Sequence, residues 1–144
     1  MHKVLIIGAG GIGRRHIKGY LSSKRASLSI VEPNSEKRKA VENDFPIDKS
    51  YSDFSEVNYT DHDFVLICAP ANYHIRPMKI CAENNIPFMV EKPLSVNLDG
   101  VDEIIDLVER KKLFARVGYT RRNSYVQKAV RSQILDGKIG DIKL

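Results

Sequence analysis

Residues 4–13, Val4-Leu5-Ile6-Ile7-Gly8-Ala9-Gly10-Gly11-Ile12-Gly13, decide how this chain folds. The first four are apolar and mostly β-branched, and they read as a strand buried on both faces, the kind found in parallel sheets. The glycines spell G-x-G-x-x-G, and a helical stretch follows from about Ile12 to Leu21. Alone, the glycine pattern is a weak signal. Between a strand and a helix it has a mechanism. Gly8 permits the tight turn, Gly10 lets the backbone approach a pyrophosphate, and Gly13 lets the helix pack close to the strand. The helix N-terminus, at Gly11 and Ile12, then offers free N–H groups and a positive dipole end to phosphates. The competing reading is a merely flexible glycine turn.

The next apolar run, Leu28-Ser29-Ile30-Val31, is a second strand, and Glu32 ends it. An acidic side chain roughly 20 residues beyond the glycines can accept hydrogen bonds from both ribose hydroxyls of adenosine, and it repels a 2′-phosphate. Pro33 and Asn34 follow, with no arginine immediately after the glutamate, which favours NAD over NADP. The alternative for Glu32 is a solvated carboxylate at a strand end.

Strand and helix signals then alternate. Asn34 caps a helix to about Asn43, a short third strand lies near Ile47, and Asp63 to Ala69 is the clearest central strand. Pro70 stops it. A helix from about Tyr73 to Asn84 carries Pro77 in its first turns. Ile86 to Val90 is a fifth strand. Asn97 caps a helix to about Lys112, with Val101, Ile104, Ile105 and Val108 at helical spacing. Leu113 to Gly118 is a sixth strand, and Ser124 to Leu135 a last helix closed by Gly137. The alternation predicts an α/β, doubly wound parallel sheet, the Rossmann fold.

Polar residues collect after the strands: Pro70-Ala71-Asn72-Tyr73-His74 after the fourth, Glu91-Lys92-Pro93 after the fifth, Tyr119-Thr120-Arg121-Arg122 after the sixth. In an open α/β sheet, ligands bind beyond the carboxyl ends of the strands, so these clusters share one edge with the glycines. Lys92 is the catalytic candidate. An ammonium beside a nicotinamide can hydrogen-bond a substrate hydroxyl or carbonyl and stabilise a developing alkoxide. An exposed loop lysine is the bland alternative. His74 reads as a capping or packing residue, or as one that shapes the nicotinamide site. His16 reads as packing or hydrogen bonding beneath the glycine loop. Arg14 and Arg15 can help neutralise a pyrophosphate or simply face solvent.

The bulk numbers bound the classes. With 144 residues, 42% hydrophobic and 28% charged, the chain has the size and composition of one globular domain. The net charge of +5 is spread over several elements without interleaved aromatics, which argues against nucleic acid. No stretch approaches the ~20 apolar residues of a membrane span. Cys68 and Cys81 form no CxxC or Cys/His metal spacing and read as buried, reduced thiols of a cytoplasmic protein, with no metal site.

Together these motifs resemble the N-terminal half of the glucose–fructose oxidoreductase, inositol dehydrogenase and rhizopine-catabolism (Gfo/Idh/MocA) family. The resemblance rests on GAGGIGRRH (Gly8 to His16), APANYH (Ala69 to His74), the EKP signature at Glu91-Lys92-Pro93 with Leu94, VGYTRR (Val117 to Arg122) and DGKIGDI (Asp136 to Ile142). It implies an NAD(P)-dependent oxidoreductase acting on CH–OH groups, with a sugar, cyclitol or similar polyol as substrate and a homo-oligomeric assembly. It also implies that Lys92 contacts substrate beside the nicotinamide, that Pro93 follows a cis peptide, and that Asn72 and His74 line the cofactor site near the nicotinamide ribose. Ala69, Pro70, Glu91 and Arg122 belong to the same expected cofactor set. Asn123 departs from the pattern, standing where many members carry an aromatic. The expected organisation is a Rossmann domain over residues 1–122, then a linking helix and the stub of an absent second, substrate domain over 123–144. Such a chain should bind cofactor and be inactive alone, and the exposed last helix and stub should favour self-association. The alternative function is a non-catalytic dinucleotide-binding or redox-sensing module.

Overall fold

The computed structural model describes residues 1–141. Six parallel strands form one sheet in the order β3-β2-β1-β4-β5-β6: β1 (His2–Ile7), β2 (Ala26–Val31), β3 (Lys49–Tyr51), β4 (Phe64–Ile67), β5 (Phe88–Val90) and β6 (Ala115–Val117). The helices are α1 (Gly11–Ser23), α2 (Ser35–Asp44), α3 (Ile75–Glu83), α4 (Val101–Arg110) and α5 (Tyr125–Leu135). This is the doubly wound architecture expected from the sequence.

Residues 4–7 of β1 and 65–67 of β4 are wholly apolar and buried because both faces of the sheet are covered. Along β1, Val4 and Ile6 join one core with Ile17 of α1, Leu28, Ile30, Val41 of α2 and Leu66. Leu5 and Ile7 join the other with Val31, Val65, Ile67, Met78 and Cys81 of α3, and Ile104 of α4. The side-chain period of two thus sends alternate residues to helices on opposite sides. Leu66, fully buried in β4, is a measure of the first core. Leu66→Ala should lower unfolding free energy by about 3 kcal/mol, read as a shifted urea midpoint with unchanged slope.

The structure differs from the sequence reading in several places, and β5 and β6 are each shorter than expected. The third strand lies at Lys49–Tyr51, not at Ile47, because the first bond to β2 comes only from Asp48 N–H to Leu28 O (2.8 Å). Asn97 does not cap α4. Its Oδ1 accepts from Asp99 N–H two residues on (3.3 Å), and Gly100 at φ +76° turns the chain before the helix begins at Val101. Ile105, predicted on the apolar stripe, is 45% exposed.

The fold positions a crevice. The chain builds β1, β2 and β3 outward and then returns to place β4 on the other side of β1. The order reverses between β1 and β4, and ligands of such sheets bind beyond the strand ends at that reversal. Helix α5 has no buried residue; Tyr125, Val126 and Leu135 are exposed on it. Of the stub expected at 138–144, residues 142–144 lie outside the described residues.

Candidate dinucleotide site

The glycine loop joins β1 to α1 at the reversal point. Gly8 has φ +95°, and a Cβ there would stand 2.6 Å from the Ala69 backbone nitrogen, so only glycine lets the ends of β1 and β4 come together. Gly13 is more constrained: a Cβ would meet Gly8 O at 2.0 Å. Gly10 is the N-cap of α1. It has no side-chain acceptor to offer, and the first turn of the helix holds no acidic residue. A Cβ on Gly10 or Gly11 would find no atom within 4 Å, so the backbone faces open space, and Ile12 beside it is 49% exposed. Uncapped N–H groups aimed into open space suit a pyrophosphate.

Glu32 lies just past β2, almost buried. Its Oε2 accepts from Ala9 N–H (2.9 Å) and its Oε1 from Asn34 N–H (3.1 Å). The carboxylate is therefore anchored to the glycine loop, and each oxygen keeps a further lone pair for a ribose hydroxyl. The structure adds a residue that the sequence reading missed. Arg38, one helical turn beyond the Asn34 cap, folds back so that its Nη1 donates to Glu32 O (2.7 Å). No arginine follows Glu32 in sequence, yet α2 carries one to it in space. Helical spacing from the cap was the available signal.

The segment after β4 makes a short 3-10 turn, Ala71–Tyr73, before α3. Ala69 is half-buried, and Pro70, Asn72 and Tyr73 are exposed at the same sheet edge. His74 instead points inward. It is 1% exposed, with Nε2 2.7 Å from Ala69 O and Nδ1 3.1 Å from both Pro93 O and Leu94 O. Pro77 is the third residue of α3, where its missing N–H has no helical partner to lose.

After β5, the peptide before Pro93 is cis, and Lys92 is exposed at the edge. Glu91 also turns inward: Nε2 of His16 donates to its Oε1 at 2.8 Å, and a Cβ on Gly118 would stand 3.3 Å from its Oε2. Nothing in the sequence pointed to this pair, whose members are 75 residues apart. Arg122 is exposed beyond β6 and borders a groove of about 820 Å³ lined by Val90, Leu94, Val117 and Tyr119. That groove shares Arg122 with the expected cofactor set but none of the glycine-loop residues.

Burial governs the two cysteines. The Cys68 thiol, behind the glycine loop, is pushed up to about 12 by burial and then by the Glu91 charge; burial alone pushes Cys81 up to about 12. Both thiols are raised from an ordinary 9.0, so above pH 9 the unfolded chain gives up protons that the native chain keeps. Stability should therefore fall between about pH 9 and 12, by up to ~1.4 kcal/mol per pH unit for each thiol. At pH 8 a thiol reagent should find both cysteines slow until denaturant is added. Among the described residues, no His, Cys, Asp and Glu group could hold a metal ion, and no helix is long and apolar enough to cross a membrane.

The model of an oxidoreductase family with an NAD-binding Rossmann fold, Gfo/Idh/MocA, matches residues 2–119. The rhizopine catabolism protein MocA of Rhizobium meliloti is 28% identical over 141 residues, covering 96% of this chain and 44% of that protein. The myo-inositol 2-dehydrogenase of Thermotoga maritima is 27% identical over 140 residues, covering 96% and 42%. The structure of scyllo-inositol dehydrogenase from Lactobacillus casei with NAD(H) and scyllo-inositol superposes with a TM-score of 0.85 at 20% identity, over 99% of this chain and 43% of that one, and shows the shared fold. The chain spans less than half the length of the relatives it matches.

Proposed function

The chain belongs to the Gfo/Idh/MocA oxidoreductase family, and from that premise we propose that it is the NAD-binding part of a dehydrogenase acting on a secondary alcohol of a sugar, cyclitol or similar polyol. The observation that carries the reading is the single sheet edge on which the glycine loop, Glu32 and Lys92 all lie. NAD, when bound, supplies the two-electron acceptor for the alcohol's hydride. The protein's own residues do the rest. Backbone N–H groups from Gly10 to Gly13 hold the pyrophosphate, and the Glu32 carboxylate takes the adenosine ribose hydroxyls. Ala69, Pro70, Asn72, Pro93 and Arg122 border the nicotinamide half. Lys92 Nζ would donate a hydrogen bond to the substrate oxygen, and its charge would stabilise the developing alkoxide while the hydroxyl proton passes to water at this exposed edge.

Relatives more than twice as long motivate a second part, with residues 123–144 as the connection to it; the assembly contacts and the substrate contacts other than that of Lys92 are assigned there. Calorimetric titration with NAD, NADP and ADP-ribose tests the reading. Saturable binding with NAD preferred over NADP supports it; no binding of any of the three overturns it for this chain.

A further inference from the structure

Two histidines flank the Lys92 turn from opposite sides. On one side, His16 of α1 donates to the carboxylate of Glu91, the residue before Lys92; the two side chains are 26% and 15% exposed. On the other, the fully buried His74 ring faces the carbonyls of Pro93 and Leu94, just after Lys92, and the carbonyl of Ala69 beyond β4. The contacts to Glu91, Pro93 and Leu94 join segments 75, 19 and 20 residues apart, while the one to Ala69 spans five. His16 ties the turn to the helix that begins at the glycine loop. His74 ties it to the segment after β4. The strand beneath, bonded to β4 and β6, ends at Val90, and its last main-chain tie to β4 is Glu91 N–H to Ile67 O (2.9 Å), so Lys92 and Pro93 lie beyond the sheet's own support.

We infer that His16 and His74 are positioning residues for Lys92: by pinning the residues on either side of it, they hold the nicotinamide half of the site in register with the glycine loop. Neither imidazole then needs to touch the cofactor or the substrate. His16 acts through Glu91, and His74 through two main-chain carbonyls. A short polar turn on the open edge of a sheet is otherwise free to move, and an ammonium displaced by about 1 Å loses much of its catalytic use. The catalytic reading of this turn rests on the dinucleotide function proposed above, but the bracing itself can be read without any ligand.

The test therefore has two arms, applied to His74→Ala and His16→Ala with His74→Asn and His16→Gln as conservative partners. In the ligand-free chain, amide hydrogen exchange at Glu91, whose N–H is bonded to Ile67 O (2.9 Å) where the turn begins, should quicken at least tenfold in each alanine variant, while Val65 to Ile67 stay protected. The conservative variants, which keep a donor, should recover part of that protection. In the second arm, the affinity ratio of NAD to ADP-ribose isolates the nicotinamide half. The alanine variants should bring that ratio towards one and leave ADP-ribose affinity within about twofold. Unchanged exchange in the turn overturns the inference. So does exchange that quickens equally in the central strand, or equal weakening of both ligands, since either marks a general structural role. If the wild-type chain binds no ligand, the dinucleotide reading fails and the exchange arm still decides the bracing.

Discussion

Gly13→Ala should cost this chain both its fold stability and its cofactor site. The new methyl group would stand 2.0 Å from Gly8 O and 3.0 Å from Gly8 C. Both obstacles are main chain, so no rotamer change relieves them, and α1 must move off β1. Gly8 cannot yield easily, because it is already held at φ +95° with Ala69 N close behind it. The displacement therefore reaches the meeting point of β1 and β4. Overpacking of this kind costs about 3 kcal/mol, which for a domain of this size lowers the melting temperature by roughly 10 °C. NAD affinity should fall at least a hundredfold, since the N–H groups move with the helix. The same substitution elsewhere on the helix separates the causes. Gly19→Ala meets no atom within 4 Å and lies in an exposed helix interior, where alanine should add about 0.5–1 kcal/mol of stability. Gly10→Ala also meets no protein atom. It should leave stability intact and weaken only binding, because its methyl group occupies the space assigned to the pyrophosphate. If Gly13→Ala melted with the wild type, the close packing of loop and helix would not be what the glycine is for.

The series shows why some of this protein was legible in its sequence. The glycine loop is a local device: six consecutive residues specify a turn, a helix start and a close approach, so reading them in order recovers the geometry. The central strands were nearly as plain, since burial on both faces leaves residues 4–7 and 65–67 apolar at every position; β3, which holds Lys49 and Ser50, was not. What stayed hidden depended on partners distant along the chain. His16 and Glu91 each invite several readings alone, and only the sheet order, which sets β5 beside β4 and β4 beside β1, pairs them. His74 was expected near the nicotinamide ribose; the structure places its ring among backbone carbonyls, whose positions no side-chain pattern encodes. Asn97 was a sound helix-cap candidate that satisfied a nearer backbone N–H instead, and Gly100 set the start of the helix. Arg38 lay between these cases, six residues from Glu32 but one helical turn from its cap.

Arg38 bears directly on the second large effect. In Glu32→Ala, preference between the two dinucleotides should reverse: NAD affinity falls about thirtyfold and NADP becomes the better ligand. The loss follows from removing the acceptor for two ribose hydroxyls, worth about 2 kcal/mol for hydrogen bonds to a charged group. The reversal follows from what remains. With the carboxylate gone, nothing repels a 2′-phosphate, and the Arg38 guanidinium, half-buried and bonded to Glu32 O at 2.7 Å, stays tied to the main chain. A main-chain anchor survives the loss of the side chain, so the cation does not leave with the glutamate. An arginine near this position is what a 2′-phosphate needs. The variant should also lose about 1–3 kcal/mol of stability, because Ala9 N–H, in a 2% exposed residue, loses its acceptor. Titrations must therefore be made well below the melting temperature. Adding Arg38→Ala to Glu32→Ala should abolish the gain for NADP and leave NAD affinity where the single variant had it. If the single variant lost NAD without gaining NADP, the guanidinium would be a helix-to-strand tie only, and Glu32 alone would account for the choice of cofactor.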